Sequence, residues 1–330
     1  MLSPFECSMD QVLAYLGQQE HIAFSVRGRL DGNRYLPRQF PATFPILVQL
    51  HRYPGYQQMV GERWLHWHDY YELVLIVSGS GVYQCGTERF EFHAGDILMV
   101  DALKLHGVWD VTKEHTALCI FFHSHAVAPA GLWMERGFLS AFNDRSPGVQ
   151  PKIKAPAVNA DVWNTFGKMA AKWFGETSDN RDLLGLKLSF LNLLYALRSN
   201  VEIHDTFIDE PPEIRASREN QMRVILDYIA QHSHEKLPQS EVAKIAGMST
   251  SRFRAFFKAT TGWGYAEYLL DVRTEHAARL LKDTARSVAD IALATGFSDQ
   301  SHLQRAFKSR HGVSPLAFRK NHMGETPRSE

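Results

Sequence analysis

The sequence predicts an α+β fold: an N-terminal β-barrel or sandwich, a helical segment, and an all-α C-terminal domain of two helix-turn-helix units joined by a long helix. Three observations carry this. Residues 44 to about 125 hold short β-prone runs, FPILVQLH, YELVLIV, GVYQC, RFEFH, DILMV and HTALCIFFH, separated by Gly, Asp or charged turns. From about residue 160 the apolar pattern turns helical. Residues 237 to 320 repeat themselves. At 330 residues the chain is long enough for two domains.

Taken in order, several short strands at this spacing suggest closure into a barrel or sandwich over residues 1–158. The helical segment, 159–200, contains WNTFGKMAAKWF and LLGLKLSFLNLLYALRSN. The second of these is apolar on two sides, with Leu184, Leu188, Leu191 and Tyr195 on one and Leu186, Phe190, Leu193 and Leu197 on the other. Such a helix needs two partners, its own barrel and either a second subunit or another part of the same chain. Residues 201–213 are polar and acidic with Pro211-Pro212, a linker, and the C-terminal domain spans 214–330.

The repeat aligns VAKIAGMSTSRFRAFFKATTG with IALATGFSDQSHLQRAFKSRHG, given one inserted residue. Each copy reads as a short helix, a tight turn at Gly247 or Gly296, a Ser249 or Ser298 N-cap, and a second helix ending at Gly262 or Gly312. Between them YAEYLLDVRTEHAARLLKD is amphipathic, with Tyr268, Val272, Ala278, Leu280 and Leu281 as candidate contacts. Its length gives a rod of roughly 28 Å, close to the ~34 Å between successive major grooves. With Phe253, Phe257, Leu303 and Phe307 inward, the opposite faces carry Thr250, Ser251, Arg254 and Lys258, then Asp299, Ser301, His302, Arg305 and Lys308. Donors near a helix N-terminus suit base edges, and cations further along suit phosphates.

Composition narrows the classes. Hydrophobic residues make 45% and charged residues 22% of the chain, so disorder is not expected. Cys7, Cys85 and Cys119 are isolated, with neither zinc-chelating spacing nor an even set for disulfides, which fits a reducing cytoplasm. The N-terminus lacks the basic start and apolar core of a secretory signal, and LLGLKLSFLNLLYAL is too short and too polar to span a bilayer. A soluble cytoplasmic protein with no membrane partner is expected. The net charge of zero hides an asymmetry: 18 Lys and Arg against 12 Asp and Glu from residue 214 onward, and 18 against 24 before it. A basic C-terminal half fits a polyanion.

ADIALATGFSDQSHLQRAFKSRHGVSPLAFR resembles the signature of the AraC/XylS family of bacterial transcription regulators, and the first copy matches that family's first helix-turn-helix. The resemblance covers about 100 residues. It implies base-facing side chains at Ser251, Arg254 and Ala255, then at Ser301, His302 and Arg305. Ala255 departs from the larger polar residues often found there, which shifts reading toward Arg254. Lys258, Lys308 and Arg319 are candidates for phosphates or structural ion pairs. The implied partners are double-stranded promoter DNA, RNA polymerase and a second copy of the chain, and the implied sign of control is activation.

HWHDYYE, residues 66 to 72, carries the candidate sensing chemistry. On a strand, alternate side chains share a face, so His66, His68, Tyr70, Glu72, Val74 and Ile76 would point one way. This spacing, with Gly79, Gly95 and His106, resembles the two cupin motifs, and all four positions of the cupin metal set are present: His66, His68, Glu72 and His106. Three imidazoles and a carboxylate suit Fe, Mn, Ni or Zn. Asp101 and Leu103 replace that motif's usual Pro and Gly, and Gly61 lies one residue closer to His66 than the motif expects. HWHDYYELVLIVSGSG also resembles sugar-responsive members of the AraC family, especially the rhamnose-operon regulators. Three readings stay open for the histidines: direct contact with an organic effector, most simply a sugar; a divalent metal; or hydrogen bonding within the barrel. No cofactor is required by the first. Trp64 and Trp109, with Trp67 and Phe92 nearby, offer faces on which a sugar could stack. Arg27, Arg29 and Arg34 could form an arm ahead of the barrel, or a solvated face. The expectation is a non-enzymatic, dimeric, effector-controlled regulator. The alternatives are a metal-dependent cupin enzyme carrying a DNA-binding tail, and a regulator whose barrel binds nothing.

Overall fold

The structure is a computed structural model that describes residues 7–23, 36, 38–40, 44–55, 65–110, 112–127, 137–143, 150–175, 182–201 and 212–322. Trp64, Gly61, Arg27, Arg29 and Arg34, and most of the expected linker, lie outside these residues.

A capping box opens α1 (Met9–Gly17): the Ser8 hydroxyl accepts from the Gln11 amide, and the Gln11 side chain accepts from the Ser8 amide. A mixed sheet follows: β1 (Ile22–Ala23), β2 (Ile46–Pro54), β3 (Tyr71–Cys85), β4 (Glu88–His93), β5 (Ile97–Val100), β6 (His106–Val108), β7 (Glu114–Phe122) and, after α2 (Ser140–Asn143), β8 (Lys152–Ile153). The strand order is β1-β2-β7-β3-β5-β8, with β4 and β6 also on β3. β3 therefore serves two walls. Its first half lies between β7 and β5, and its second half between β4 and β6.

YELVLIV and GVYQC read as separate strands, yet they are one, because the intervening Ser-Gly-Ser bends without breaking the ladder. The register shifts between Ile76 and Ser78, and Gly79 takes φ 81°, where a Cβ would lie 2.8 Å from the His115 Cα. Leu73, Leu75 and Val77 alternate outward into a core shared with α1, α3 (Ala160–Gly175) and α4 (Leu183–Arg198), while Val74 and Ile76 point into a second core enclosed by the sheet.

On α4, Leu186, Phe190, Leu193 and Leu197 are buried against the sheet. Of the residues expected on its other side, Leu191 is half-buried against the same core, while Leu184, Leu188 and Tyr195 stay 70%, 54% and 67% exposed.

The C-terminal part is all helical: α5 (Pro212–His232), α6 (Gln239–Ile245), α7 (Thr250–Thr261), α8 (Tyr265–Asp283), α9 (Val288–Ala294), α10 (Gln300–His311) and α11 (Pro315–His322). α6 with α7 and α9 with α10 form the two expected helix-turn-helix units, and α8 covers the expected 19 residues between them. Tyr268, Val272, Ala278 and Leu281 of α8 are buried, while Leu280 is only partly so. Gly262 and Gly312 end α7 and α10 in the left-handed conformation. One cap differs from expectation. Asp299, not Ser298, caps α10: its carboxylate accepts from the His302 amide at 2.8 Å, and the Ser298 hydroxyl donates to that carboxylate at 2.9 Å. An anion at the positive end of the helix dipole outcompetes a hydroxyl there. Among the described residues no helix is long and apolar enough to cross a membrane.

Candidate effector site and nucleic-acid interface

The four residues of the histidine cluster meet, though not along one strand. β3 begins only at Tyr71, so His66 and His68 precede it. His66 is held by a bridge to β6, its amide donating to the His106 carbonyl at 2.8 Å and the His106 amide donating back at 2.9 Å. The ligand atoms of His66, His68, Glu72 and His106 all lie within 4.8 Å of one another, and all four residues are buried.

Hydrogen bonds at the far side of two rings fix their tautomers. His68 Nδ1 lies 2.8 Å from the Tyr70 carbonyl oxygen, and His106 Nδ1 lies 2.7 Å from that of Lys104. A carbonyl oxygen only accepts, so each Nδ1 carries the proton and donates it. With Nδ1 engaged at the far side, the Nε2 of each ring faces Glu72, and both Nε2 atoms lie 3.2 Å from Glu72 Oε2. Burial, with the His106 charge beside it, lowers the His68 pKa to about 4, so the ring is neutral in ordinary conditions. Burial works to raise Glu72, but the hydrogen bonds and charge of His106 and His68 outweigh it and keep the carboxyl well below its usual range. The carboxylate is stabilised by positive charge at the facing Nε2 atoms, which a ring proton or a bound cation supplies. The four side chains could hold a divalent cation, and the backbone carbonyls that accept from His68 and His106 would orient the imidazoles toward it.

Glu72 and His66 open onto an interior cavity of about 30 Å³, walled also by Arg38, Tyr53, Tyr83 and His115 and by the apolar Val74, Ile76, Phe92, Leu98, Val108 and Ala117. That is room for roughly two waters. A monosaccharide enters only if the walls move apart. Burial raises Tyr53 and Tyr83 well above the usual phenol range, so both remain neutral hydroxyls, and it raises the Cys119 thiol beside Glu72 likewise. The Arg38 guanidinium lies 3.5 Å over the Phe121 ring and donates to Gln49 Oε1 at 2.5 Å.

Phe92 lines the cavity, but Trp109 does not. β6 ends at Val108, and the half-buried Trp109 ring packs against the cluster shared with the helical domain, with the Arg89 guanidinium 3.3 Å over it. Trp67 alternates away from its flanking histidines and is buried against the helical domain. Sequence reasoning missed Arg38, Tyr53, Tyr83 and His115. A period-2 reading of HTALCIFFH places His115, Ala117, Cys119 and Phe121 on one face with Tyr53 opposite His115, and the two rings stack at 4.2 Å.

On the helical part, Thr250, Ser251, Arg254, Ala255 and Lys258 are exposed on α7, and Ser301, Arg305 and Lys308 are exposed on α10. Phe253, Phe257, Leu303 and Phe307 are buried beneath them. Asp299 is committed to its cap, where the His302 amide and the Ser298 hydroxyl hold its carboxyl below the usual range. His302 is half-buried, edge-on to Phe297 at 5.2 Å. Arg319 ties helix ends together, donating to the carbonyls of Leu281 and Arg286.

The family described as AraC-like ligand binding domain matches residues 54–176, and a helix-turn-helix domain family matches residues 242–321. The chain is 23% identical over 265 residues to an uncharacterized HTH-type transcriptional regulator, YdeC of Bacillus subtilis, spanning 78% of this chain and 86% of that protein. It is 25% identical over 262 residues to the HTH-type transcriptional activator RhaS of Shigella sonnei, spanning 78% and 88%. Among solved structures, ToxT of Vibrio cholerae is similar at 12% identity and a TM-score of 0.40, over 85% of this chain and 99% of that one.

Proposed function

The chain belongs to the AraC-type transcription regulators, DNA-binding proteins with a ligand-binding domain ahead of the helix-turn-helix domain, and from that premise we propose that a small effector bound at the buried histidine cluster controls promoter binding. These families and relatives are regulators, not enzymes. The proposed division is 1–158 for the effector domain, 159–200 for dimerisation, 201–213 for the linker and 214–330 for DNA binding.

The observation that carries the reading is the pair of exposed reading faces, on α7 and α10, mounted on one helical frame while a polar cluster lies enclosed in the sheet. Ser251 and Arg254 read one major groove and Ser301 and Arg305 the next, with Lys258 and Lys308 on phosphates. Asp299 and His302 support the second helix rather than leading its readout.

A metal is favoured as part of the effector site by the convergence of three imidazoles and one carboxylate, with their ligand atoms within 4.8 Å of one another. His66, His68, Glu72 and His106 would hold it. A bound divalent ion supplies a fixed positive charge and open positions for oxygen donors. Arg38, Tyr53 and Tyr83 then orient whatever occupies the rest of the cavity, a sugar or sugar acid once the walls part. The uncovered face of α4 joins a second copy. Relatives named as activators support activation, hence contact with RNA polymerase, and action in the cytoplasm.

The test is fluorescence anisotropy of the full chain on duplex fragments from upstream of its own gene. A fragment bound at least ~10³-fold more tightly than random DNA supports the reading. Equal affinity for all fragments at low salt overturns it. Calorimetry with Zn²⁺, Ni²⁺ and Mn²⁺ on chelator-treated protein tests the ion. One equivalent per chain, lost in His68→Ala, is expected, and no binding by any of the three removes the metal from the site.

A further inference from the structure

The wall of the histidine cluster is also the surface on which the first helix-turn-helix sits. Leu65, Trp67, Ala102, Leu103 and Leu105 of the sheet domain share one buried cluster with Phe253, Phe257 and Trp263. Trp263, 1% exposed, donates its indole N–H to the Gly86 carbonyl at 2.5 Å, and Lys104 Nζ donates to the Ala259 carbonyl at the end of α7 at 2.8 Å. Gly86 and Gly262 touch backbone to backbone: a Cβ on Gly262 would lie 2.8 Å from the Gly86 Cα. Both glycines have positive φ, 59° and 82°, so neither position favours a side chain on its own account. The second unit joins through Arg310, whose guanidinium lies 4.9 Å over the Trp263 ring.

The same short segment is tied to the cluster from the other side. The Leu103 amide donates to the His68 carbonyl at 2.7 Å, and the Lys104 carbonyl accepts from His106 Nδ1 at 2.7 Å. The Gly86 amide donates to the Leu105 carbonyl at 2.7 Å, and Cys85 pairs with His106 in the ladder. Leu103 has φ 68°, and among the described residues it alone outside glycine has positive φ. A bulky side chain held there marks a backbone fixed by its surroundings. Residues 102–105 thus have His68 and His106 on one side and α7 with Trp263 on the other, and no intervening layer.

We propose that residues 102–105 with the Gly86 turn form a docking face for the first helix-turn-helix, so that the state of the histidine cluster and the hold on α7 are one coupled equilibrium. The reading faces of α7 and α10 stay exposed in the docked arrangement. Docking therefore sets where the recognition helices stand and leaves their side chains free. This inference rests on the effector-site reading above. Coupling of this kind is reciprocal: a change at the cluster alters the interface, and a change at the interface alters the cluster by the same factor.

The test is hydrogen–deuterium exchange of the full chain, needing neither DNA nor ligand, on wild type, Glu72→Gln, Gly262→Ala and Trp263→Phe. The amides of Leu103 and His106 report on the cluster, and those of Gly262 and Trp263, which donate to Lys258 O and Thr261 Oγ1, report on the interface. Gly262→Ala and Trp263→Phe are each expected to speed exchange at Leu103 and His106 at least 3-fold, and Glu72→Gln to do the same at Gly262 and Trp263. Effects that stay on the mutated side in all three variants overturn the coupling. If Gly262→Ala does not fold, Trp263→Phe, which keeps the backbone and an aromatic ring, decides the question. Failure of promoter binding would overturn the regulator reading without touching this result.

Discussion

The uncovered side of α4 gives a quantitative expectation for self-association. Leu184 is 70% and Leu188 54% exposed. Leu→Ala removes about three carbons, each worth ~0.8 kcal/mol when fully buried, so ~1.7 and ~1.3 kcal/mol are available at these positions. In a two-fold dimer each substitution occurs twice, so the double variant forfeits up to ~6 kcal/mol, and about half that if the interface covers half of the exposed area. A loss of ~3 kcal/mol raises the dimer dissociation constant by two orders of magnitude. Sedimentation velocity over a concentration series of wild type and Leu184→Ala/Leu188→Ala measures this directly. The fold is spared because Leu186, Phe190, Leu193 and Leu197 supply the intramolecular contacts. A wild type that stays monomeric at high concentration, or a variant with an unchanged dissociation constant, refutes the assignment of this face to a second copy.

Three further outcomes follow from the geometry. Arg305→Ala should lose about 1–3 kcal/mol of base discrimination at one operator position, whereas Lys308→Ala should weaken all sequences alike and reduce the salt slope by about 1; anisotropy on a set of point-substituted operators separates the two. Asp299→Ala should lower stability through its lost cap, read as a smaller urea midpoint, and a change in sequence preference with unchanged stability would instead restore Asp299 as a reader. His115 is held neutral by burial, its pKa lowered to about 4. Its folded value lies below the unfolded one, so the unfolded chain binds the extra proton first. The contribution of this residue is complete above about pH 6.5 and is lost as pH falls toward 4, reaching about 3 kcal/mol. Unfolding free energies at pH 7 and pH 5 should differ less in His115→Gln than in wild type, and equal pH dependence in the two would show that His115 does not titrate on unfolding.

The helical domain was legible almost residue by residue because its determinants are local. Ser249 as cap, Gly262 and Gly312 as stops, and the four-residue spacing of Phe253 with Phe257 and Leu303 with Phe307 each act within one or two turns, and the structure places them so. The exception, Asp299 in place of Ser298, is also local: two adjacent capping residues compete, and the anion wins. On α4 the two apolar sides were readable, yet only the structure shows which one the sheet covers. The strands were legible as runs but not as continuous elements, since the Gly-rich bend in β3 is set by close approach to His115, a residue far away in sequence.

The four side chains of the histidine cluster meet, but not for the reason alternation along one strand gives. Simple alternation would put His66, His68 and Glu72 on one strand face, but β3 starts at Tyr71, and what gathers the residues is the two-way backbone bridge between His66 and His106. Pairing across strands, unlike alternation along one, has no local signature. The same limit hid Arg38, Tyr53, Tyr83 and His115, which reach the cavity from separate elements. It also hid the docking face, whose partners Gly86 and Trp263 lie 177 residues apart. Leu103 in place of the cupin motif's glycine was visible as a departure, but its meaning depends on the left-handed backbone found there and on the helix packed against it. Leu103→Gly should therefore relax this backbone and loosen the contact with α7, read as faster amide exchange at Gly262 and Trp263, because the leucine side chain belongs to the shared core as well as to the turn.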